Sequence, residues 1–152
     1  MEDIHSMETR IHTALHILKG AARNVLGVDA KWTAGVFTSS TGGRLTLQFN
    51  RKPSEEEIRE IEKTANDIIQ KDIKIITHQL SRSEARERFG DEHLDLFPIP
   101  ETIKMLTVVE IPGWNINACN KPHTRTTGEV GSITIKKVRF RNAKQLLEIT
   151  FA

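Results

Sequence analysis

Near the start of the chain, Ile11, Leu15, Leu18, Ala22 and Val25 recur at helical spacing, and Gly27 offers a stop. The pattern predicts an amphipathic helix with His12 and His16 bordering its apolar stripe. Positions four apart lie one above the other on a helix, so these two rings face a common point at the boundary between core and cleft. The next stretch, "WTAGVFTSSTGGRLTLQF", reads as two strands around a Ser-Thr-Gly-Gly turn, with Leu45, Leu47 and Phe49 alternating inward. In "PSEEEIREIEKTANDIIQK" a capping box of Ser54 and Glu57 follows Pro53, and Ile58, Ile61, Ala65 and Ile68 or Ile69 supply the buried face of a second helix.

Beyond it, "IKIITHQL" predicts a strand and "RSEARERFG" a short helix closed by Gly90. Residues 91–100 read as a loop. The run "IKMLTVVEI" is a strand that stops before Pro112 and Gly113, and "GWNINACNKPHTRTTGEVG" reads as a long loop. Two closing strands, "SITIKKVRFR" and "LLEITF", are joined by a turn near Asn142. Helices and strands alternate irregularly and hairpins recur, which predicts an α+β fold, a mainly antiparallel sheet with flanking helices.

With 152 residues, the chain is expected to form a single domain, residues 1–152, around one core. Its 38% hydrophobic and 28% charged content is that of a globular protein, and no apolar run reaches the length of about 20 residues that spans a bilayer, so no membrane partner is expected. The opening "MEDIHSMETR" has no basic segment followed by an apolar one, so no secretory signal is predicted and a cytoplasmic protein is expected. Cys119, the sole cysteine, excludes an internal disulfide and leaves a thiol for chemistry or metal. A net charge of +2 is too small to argue for nucleic acid by itself, so that case rests on how the charge is distributed. In "TIKKVRFR", Lys137, Arg139 and Arg141 share one strand face and Val138 and Phe140 the other. Such a basic stripe either neutralises phosphates or keeps an edge strand from aggregating.

The late loop gives the two histidines partners. "CNKPH" presents Cys119 and His123 three residues apart, so the chain offers H-x3-H and, about a hundred residues later, C-x3-H. Nitrogen and thiolate donors suit zinc, a borderline-soft ion, better than magnesium or calcium. The alternative is bland: Cys119 as a small buried hydrophobe and His123 as a turn residue. A helical zinc protease would need a glutamate after the first histidine, where this chain has Thr13, and a Cys2His2 finger would need a second cysteine.

Taken together, "HTALHILKG", "KWT" at 31–33 and "WNINACNKPHTRTTGEVG" resemble the short alanyl-tRNA editing proteins of the AlaX type, whose domain is similar to the editing domain of alanyl-tRNA synthetase. The likeness implies the α+β fold of the alanyl- and threonyl-tRNA synthetase editing domains and a zinc-dependent hydrolase. Its expected substrate is mischarged tRNA(Ala), from which it would remove serine, with glycine as a second candidate. By that likeness His12, His16, Cys119 and His123 are the zinc positions and the catalytic centre, and Thr33 matches the threonine whose hydroxyl recognises the serine side chain. Asn120, Lys121 and Pro122 stand where synthetase-fused domains usually carry Gly-Gly-Thr, as in the short type, and the glycine-rich N-terminal barrel of longer members is not expected.

Deacylation of an aminoacyl ester needs a water nucleophile, stabilisation of the oxyanion and a proton for the departing oxygen. Zinc with an open position supplies the first two, whereas four protein ligands make a closed structural site. Glu129 in "TGEVG" is the nearest carboxylate candidate for a base; the alternatives are a solvated or capping glutamate. Lys121 and Arg125 flank the zinc loop and are candidate RNA contacts with the stripe of Lys137, Arg139 and Arg141. Trp32 and Trp114 are candidates either for stacking the terminal adenine or for the core.

Overall fold

The computed structural model describes residues 4–91 and 99–152. Helix α1 runs Ile4–Leu26, followed by a 3-10 turn at Val28–Ala30, strands β1 (Thr33–Thr38) and β2 (Gly43–Gln48), and helix α2 (Glu55–Gln70). Strand β3 (Ile76–Ser81) and helix α3 (Arg82–Phe89) come next, then β4 (Met105–Ile111), β5 (Asn115–Ala118), a 3-10 turn at Thr127–Val130, β6 (Ile135–Arg141) and β7 (Leu146–Phe151). The expected loop at 91–100 lies largely outside the described residues.

The strands form two antiparallel sheets, a four-stranded one in the order β1-β2-β7-β6 and a three-stranded one in the order β3-β4-β5. The α+β class is as expected, but the single sheet is not. In β2 the alternation of Leu45 and Leu47 faces inward beside Leu147 and Ile149 of β7, and this face packs on α1 and α2. A smaller core, Leu80, Ala85, Leu106 and Val108, lies between α3 and the second sheet. Helix α1 runs between the two sheets, so residues 11 to 22 are buried on every side instead of along one stripe. This is why His12 and His16 are interior and not on an open rim.

Local signals read correctly at the start of α2 and at the ends of α1 and α3. The Ser54 hydroxyl accepts from Glu57 N at 3.1 Å while the Glu57 carboxylate accepts from Ser54 N at 2.9 Å. Gly27 stops α1 with φ of 93°, and Gly90 stops α3 with φ of 69°. The long loop expected at 113–131 is corrected: Asn115–Ala118 pairs with β4, joined to it by a Pro112-Gly113 turn. The segment carries two asparagines and little β-propensity, so pairing with a neighbour, not its own composition, makes it a strand. Similarly, the strand expected from residue 73 starts at Ile76, because residues 73–75 bond instead to Arg125, Thr126 and Thr127.

Candidate metal centre

His12 and His16 project from one face of α1, and Cys119 and His123 come from the segment that leaves β5. Cys119 N donates to Thr107 O at 2.9 Å, extending the pairing of β5 with β4 and fixing where the thiol points. His123 is held from the other side: Thr124 N donates to the Thr13 hydroxyl at 2.9 Å, and that hydroxyl donates to Thr9 O at 3.0 Å. Thr13, between the two histidines, therefore docks the distant loop onto the helix. Further along, the buried Thr127 hydroxyl donates to Ile68 O and accepts from Ile73 N, so the "TGEVG" segment is an anchor.

The four donors lie within 4.8 Å of one another, the only such group among the described residues. His12 Nε2 is 3.0 Å from Cys119 Sγ, and the three ring centroids are 4.8 to 5.0 Å apart. A tetrahedral zinc with ordinary N and S bond lengths needs donor separations of roughly 3.3–3.6 Å, which this cluster meets with sub-ångström to ångström adjustments. His12 Nδ1, His16 Nε2 and His123 Nε2 are buried with no hydrogen-bond partner. One such atom costs about 1–3 kcal/mol, so an orphaned nitrogen on each of three clustered rings fits a metal-binding centre better than a packed core.

Electrostatics agree. Burial, aided by the neighbouring charges of His123 and Lys121, lowers His12 from 6.5 to about 4. Burial lowers His123 to about 4 and takes His16 well below its ordinary value. Three neutral imidazoles at pH 7 offer lone pairs to a metal. Burial raises the Cys119 thiol, so metal binding here must displace its proton. Outer contacts orient the set: Asn115 Nδ2 lies 3.3 Å from His16 Nδ1 and donates to Asn117 Oδ1 at 3.0 Å.

Beside the cluster is a pocket of about 110 Å³ whose wall includes His12, His16, Cys119, Lys19, Thr33 and Asn117. Thr33 reaches it through a β-bulge. It pairs with Leu47 while Gly35 pairs with Thr46, leaving Ala34 as the extra residue. In a regular strand residues 33 and 36 would face opposite sides; the bulge lets Thr33 and Val36 line the same pocket. On the other side of His12 is a second pocket of about 250 Å³, lined by Glu8, Thr9, Thr38, Lys121 and Pro122. A third cavity, about 420 Å³, reaches Cys119 from the side of Met105 and Thr107.

Residues 106–145, which include Cys119 and His123, match the family model described as the threonyl and alanyl tRNA synthetase second additional domain. The chain is 39% identical over 150 residues to the alanine-tRNA ligase of Methanopyrus kandleri, an alignment covering 92% of this chain and 16% of that protein. It is 41% identical over 128 residues to the alanine-tRNA ligase of Staphylothermus marinus, with 84% of this chain and 14% of the relative covered. Most of the chain is thus similar to one segment of alanine-tRNA ligases, and its residues 106–145 carry the match to this domain. The chain spans about one-sixth of the length of the curated relatives it matches.

Within this synthetase-related domain the remaining candidates are dispersed. Lys121 borders the second pocket, but Arg125 lines none of the three cavities. Lys137, Arg139 and Arg141 lie on β6, the opposite edge of the sheet from the strand of Thr33, three strand spacings or about 14 Å away. Val138 and Phe140 pack on the core as the alternation predicts, and Arg141 pairs with Glu148 at 3.2 Å. The Trp114 indole donates to Ile17 O at 3.0 Å and packs on Gly20, a core role. Glu129 is exposed and its carboxylate accepts from Arg125 N at 3.3 Å, the capping alternative. The sequence reading missed Lys19, Asn115 and Asn117. Lys19 had one usable signal, a charge amid the buried run "HILKGAA", whereas the asparagines gave none before β5 was known. Among the described residues no helix is long and apolar enough to cross a membrane.

Proposed function

We propose that the protein is an aminoacyl-tRNA ester hydrolase that removes wrongly attached serine, with glycine as a second candidate, from tRNA(Ala). His12, His16, Cys119 and His123 would hold a zinc ion. The observation that carries this reading is the 110 Å³ pocket, in which three of the four candidate donor residues share a wall with Thr33. Zinc, when bound, supplies Lewis acidity to an ester carbonyl. The chain's own residues do the selecting. Leu15, Val36 and Leu45 close the apolar sides of a space equal to about four water volumes, which limits the occupant to a small side chain. Thr33, 2% exposed, can donate to or accept from a serine hydroxyl. Alanine offers no such partner, which disfavours the correctly charged product by about 1–3 kcal/mol, roughly tenfold to a hundredfold. Lys121, beside the second pocket, and Arg125 would contact the tRNA end, and the Lys137, Arg139 and Arg141 stripe would meet phosphates farther along the acceptor arm. Support comes from the kinship with alanine-tRNA ligases and from the donor set.

The test is release of the amino acid from seryl-, glycyl- and alanyl-tRNA(Ala) by zinc-loaded protein, chelated protein, and the variants His16→Ala and Thr33→Val. Serine release that is lost with the metal, and a serine-over-alanine ratio that collapses in Thr33→Val, support the reading. Tight tRNA binding without turnover at full zinc loading would refute it and favour an RNA-binding module with a structural metal. The four protein donors are the feature consistent with that second reading.

A further inference from the structure

The four-stranded sheet has a second face, turned away from α1 and α2. Leu45, Leu47, Leu147 and Ile149 point inward, so by alternation Arg44, Thr46, Glu148 and Thr150 point outward, where they are exposed or half-buried. Register carries this face across all four strands. Phe37 pairs with Arg44, Arg44 with Thr150 and Thr150 with Lys137, which makes one continuous row, and Arg139 lies in the next row opposite Glu148. A β-bulge in β6 sets the phase: Ile135 pairs with Phe151 and Lys137 with Thr150, so Ile135 packs on the core while Lys137 faces out. Among the strand residues of this face Arg44, Lys137, Arg139 and Arg141 stand with one acid, Glu148, which pairs with Arg141 at 3.2 Å. In a chain of net charge +2 this is a local excess of positive charge.

Two features separate this face from an ordinary solvated one. Charges that guard a sheet edge are needed only on the edge strand, yet Arg44 sits on β2, which has β1 on one side and β7 on the other. Phe37, on the far edge strand, is 54% exposed, and the Arg44 guanidinium carbon lies 6.0 Å from its ring centroid. An exposed aromatic beside a row of cations is the arrangement by which a sheet stacks RNA bases and holds their phosphates. Strand β1 also joins this face to the pocket, because Val36, next to Phe37 and on the opposite side of the strand, lines the 110 Å³ pocket. Resting on the tRNA-directed reading above, we propose that the outer face of the four-stranded sheet is the docking surface for the RNA strand that leads to the aminoacylated end. Phosphates lie along Arg139, Lys137 and Arg44. An unpaired base near the 3′ end stacks on Phe37 before the strand turns over the edge of β1 to the pocket.

The experiment measures affinity for non-aminoacylated tRNA(Ala) across a salt series, with zinc-loaded wild type, Arg44→Gln, Arg139→Gln, Phe37→Ala and Lys63→Gln, the last a cation exposed on α2. A second RNA is the same tRNA without its unpaired 3′ end. Each arginine variant is expected to bind less tightly and to shallow the slope of log K against log salt by about 0.7–0.9, the counterion release of one phosphate. Phe37→Ala should weaken binding about fivefold to a hundredfold with the slope unchanged, because stacking carries no charge. That loss should disappear on the truncated tRNA, and Lys63→Gln should match wild type on both RNAs. A wild-type slope in both arginine variants overturns the proposal, as does a Phe37→Ala loss that persists on the truncated tRNA, or a slope change as large in Lys63→Gln. A Phe37→Ala effect confined to loss of a dimer in sedimentation also overturns it and assigns the face to a second copy of the chain. If wild type binds no tRNA(Ala), the tRNA-directed reading fails and this inference falls with it. If wild type binds the tRNA and releases serine while the variants bind as it does, only the surface assignment fails.

Discussion

Replacing Gly20 by alanine sets two effects against each other. Gly20 lies inside α1, where helix propensity alone makes Gly→Ala stabilising by about 1 kcal/mol. A Cβ built there would meet the indole of Trp114, at 2.5 Å from Cδ1 and 2.9 Å from Cε2, and would crowd Nε1 as well. An indole ring cannot bend away as the end of a flexible chain can, so the ring or the helix must move. Overpacking of this kind costs about 1–3 kcal/mol. Moving the ring also strains the Trp114 hydrogen bond to Ile17 O, worth about 0.5–1.5 kcal/mol. The unfavourable contributions win, leaving a net destabilisation of about 0.5–3.5 kcal/mol. Trp114 immediately precedes Asn115, which touches His16, so the displacement should also weaken zinc binding, about tenfold to a hundredfold by the usual effect of outer-shell changes. Urea unfolding of the metal-loaded variant, with zinc affinity from chelator competition, measures both. A Gly20→Ala protein more stable than wild type by about 1 kcal/mol would show that propensity dominates and would refute the packing argument.

Thr13→Val keeps the shape but removes the acceptor for Thr124 N, so it should cost about 1–3 kcal/mol and weaken zinc binding by loosening His123; unchanged zinc affinity would deny Thr13 its docking role. In metal-free protein, His12 and His123 stay neutral to about pH 4 when folded but protonate near 6.5 when unfolded. The unfolded chain thus binds more protons between those values, so stability is full above about pH 6.5 and declines toward pH 4, by up to about 3 kcal/mol per ring. A urea midpoint that does not fall between pH 7.5 and 5 would contradict this. Far from the centre, Ser54→Ala breaks the capping box of α2 and should cost about 1 kcal/mol with zinc affinity unchanged. Glu57 in that box is held near 2, chiefly by Arg51, so its contribution is complete above about pH 4.5 and fades as pH falls toward 2, which acid titration of Arg51→Ala beside wild type will register.

Features governed by near neighbours in the chain were legible without a structure. The helical periodicity of α1, the capping box of α2, the glycine stops and the inward alternation of Leu45 and Leu47 all depend on residues within a few positions of one another. The four donor residues were legible for a related reason: two close-spaced pairs, H-x3-H and C-x3-H, each declare their chemistry locally. The split into two sheets was not legible, nor was β5, because strand pairing is decided by the partner. The same holds for the bulge that turns Thr33 into the pocket, for the helix-to-loop bond of Thr13, and for Lys19, whose burial depends on a sheet formed about a hundred residues later. Lys137, Arg139 and Arg141 show the opposite case, a correct local alternation whose distance from the centre only sheet order could give. The sequence by itself determined which side chains could bind a metal and which segments would be helical, since donor chemistry and periodicity belong to short stretches. Tertiary structure alone decided that His12 and Cys119, 107 residues apart, stand 3.0 Å from each other, because only packing of α1 against β5 closes that gap.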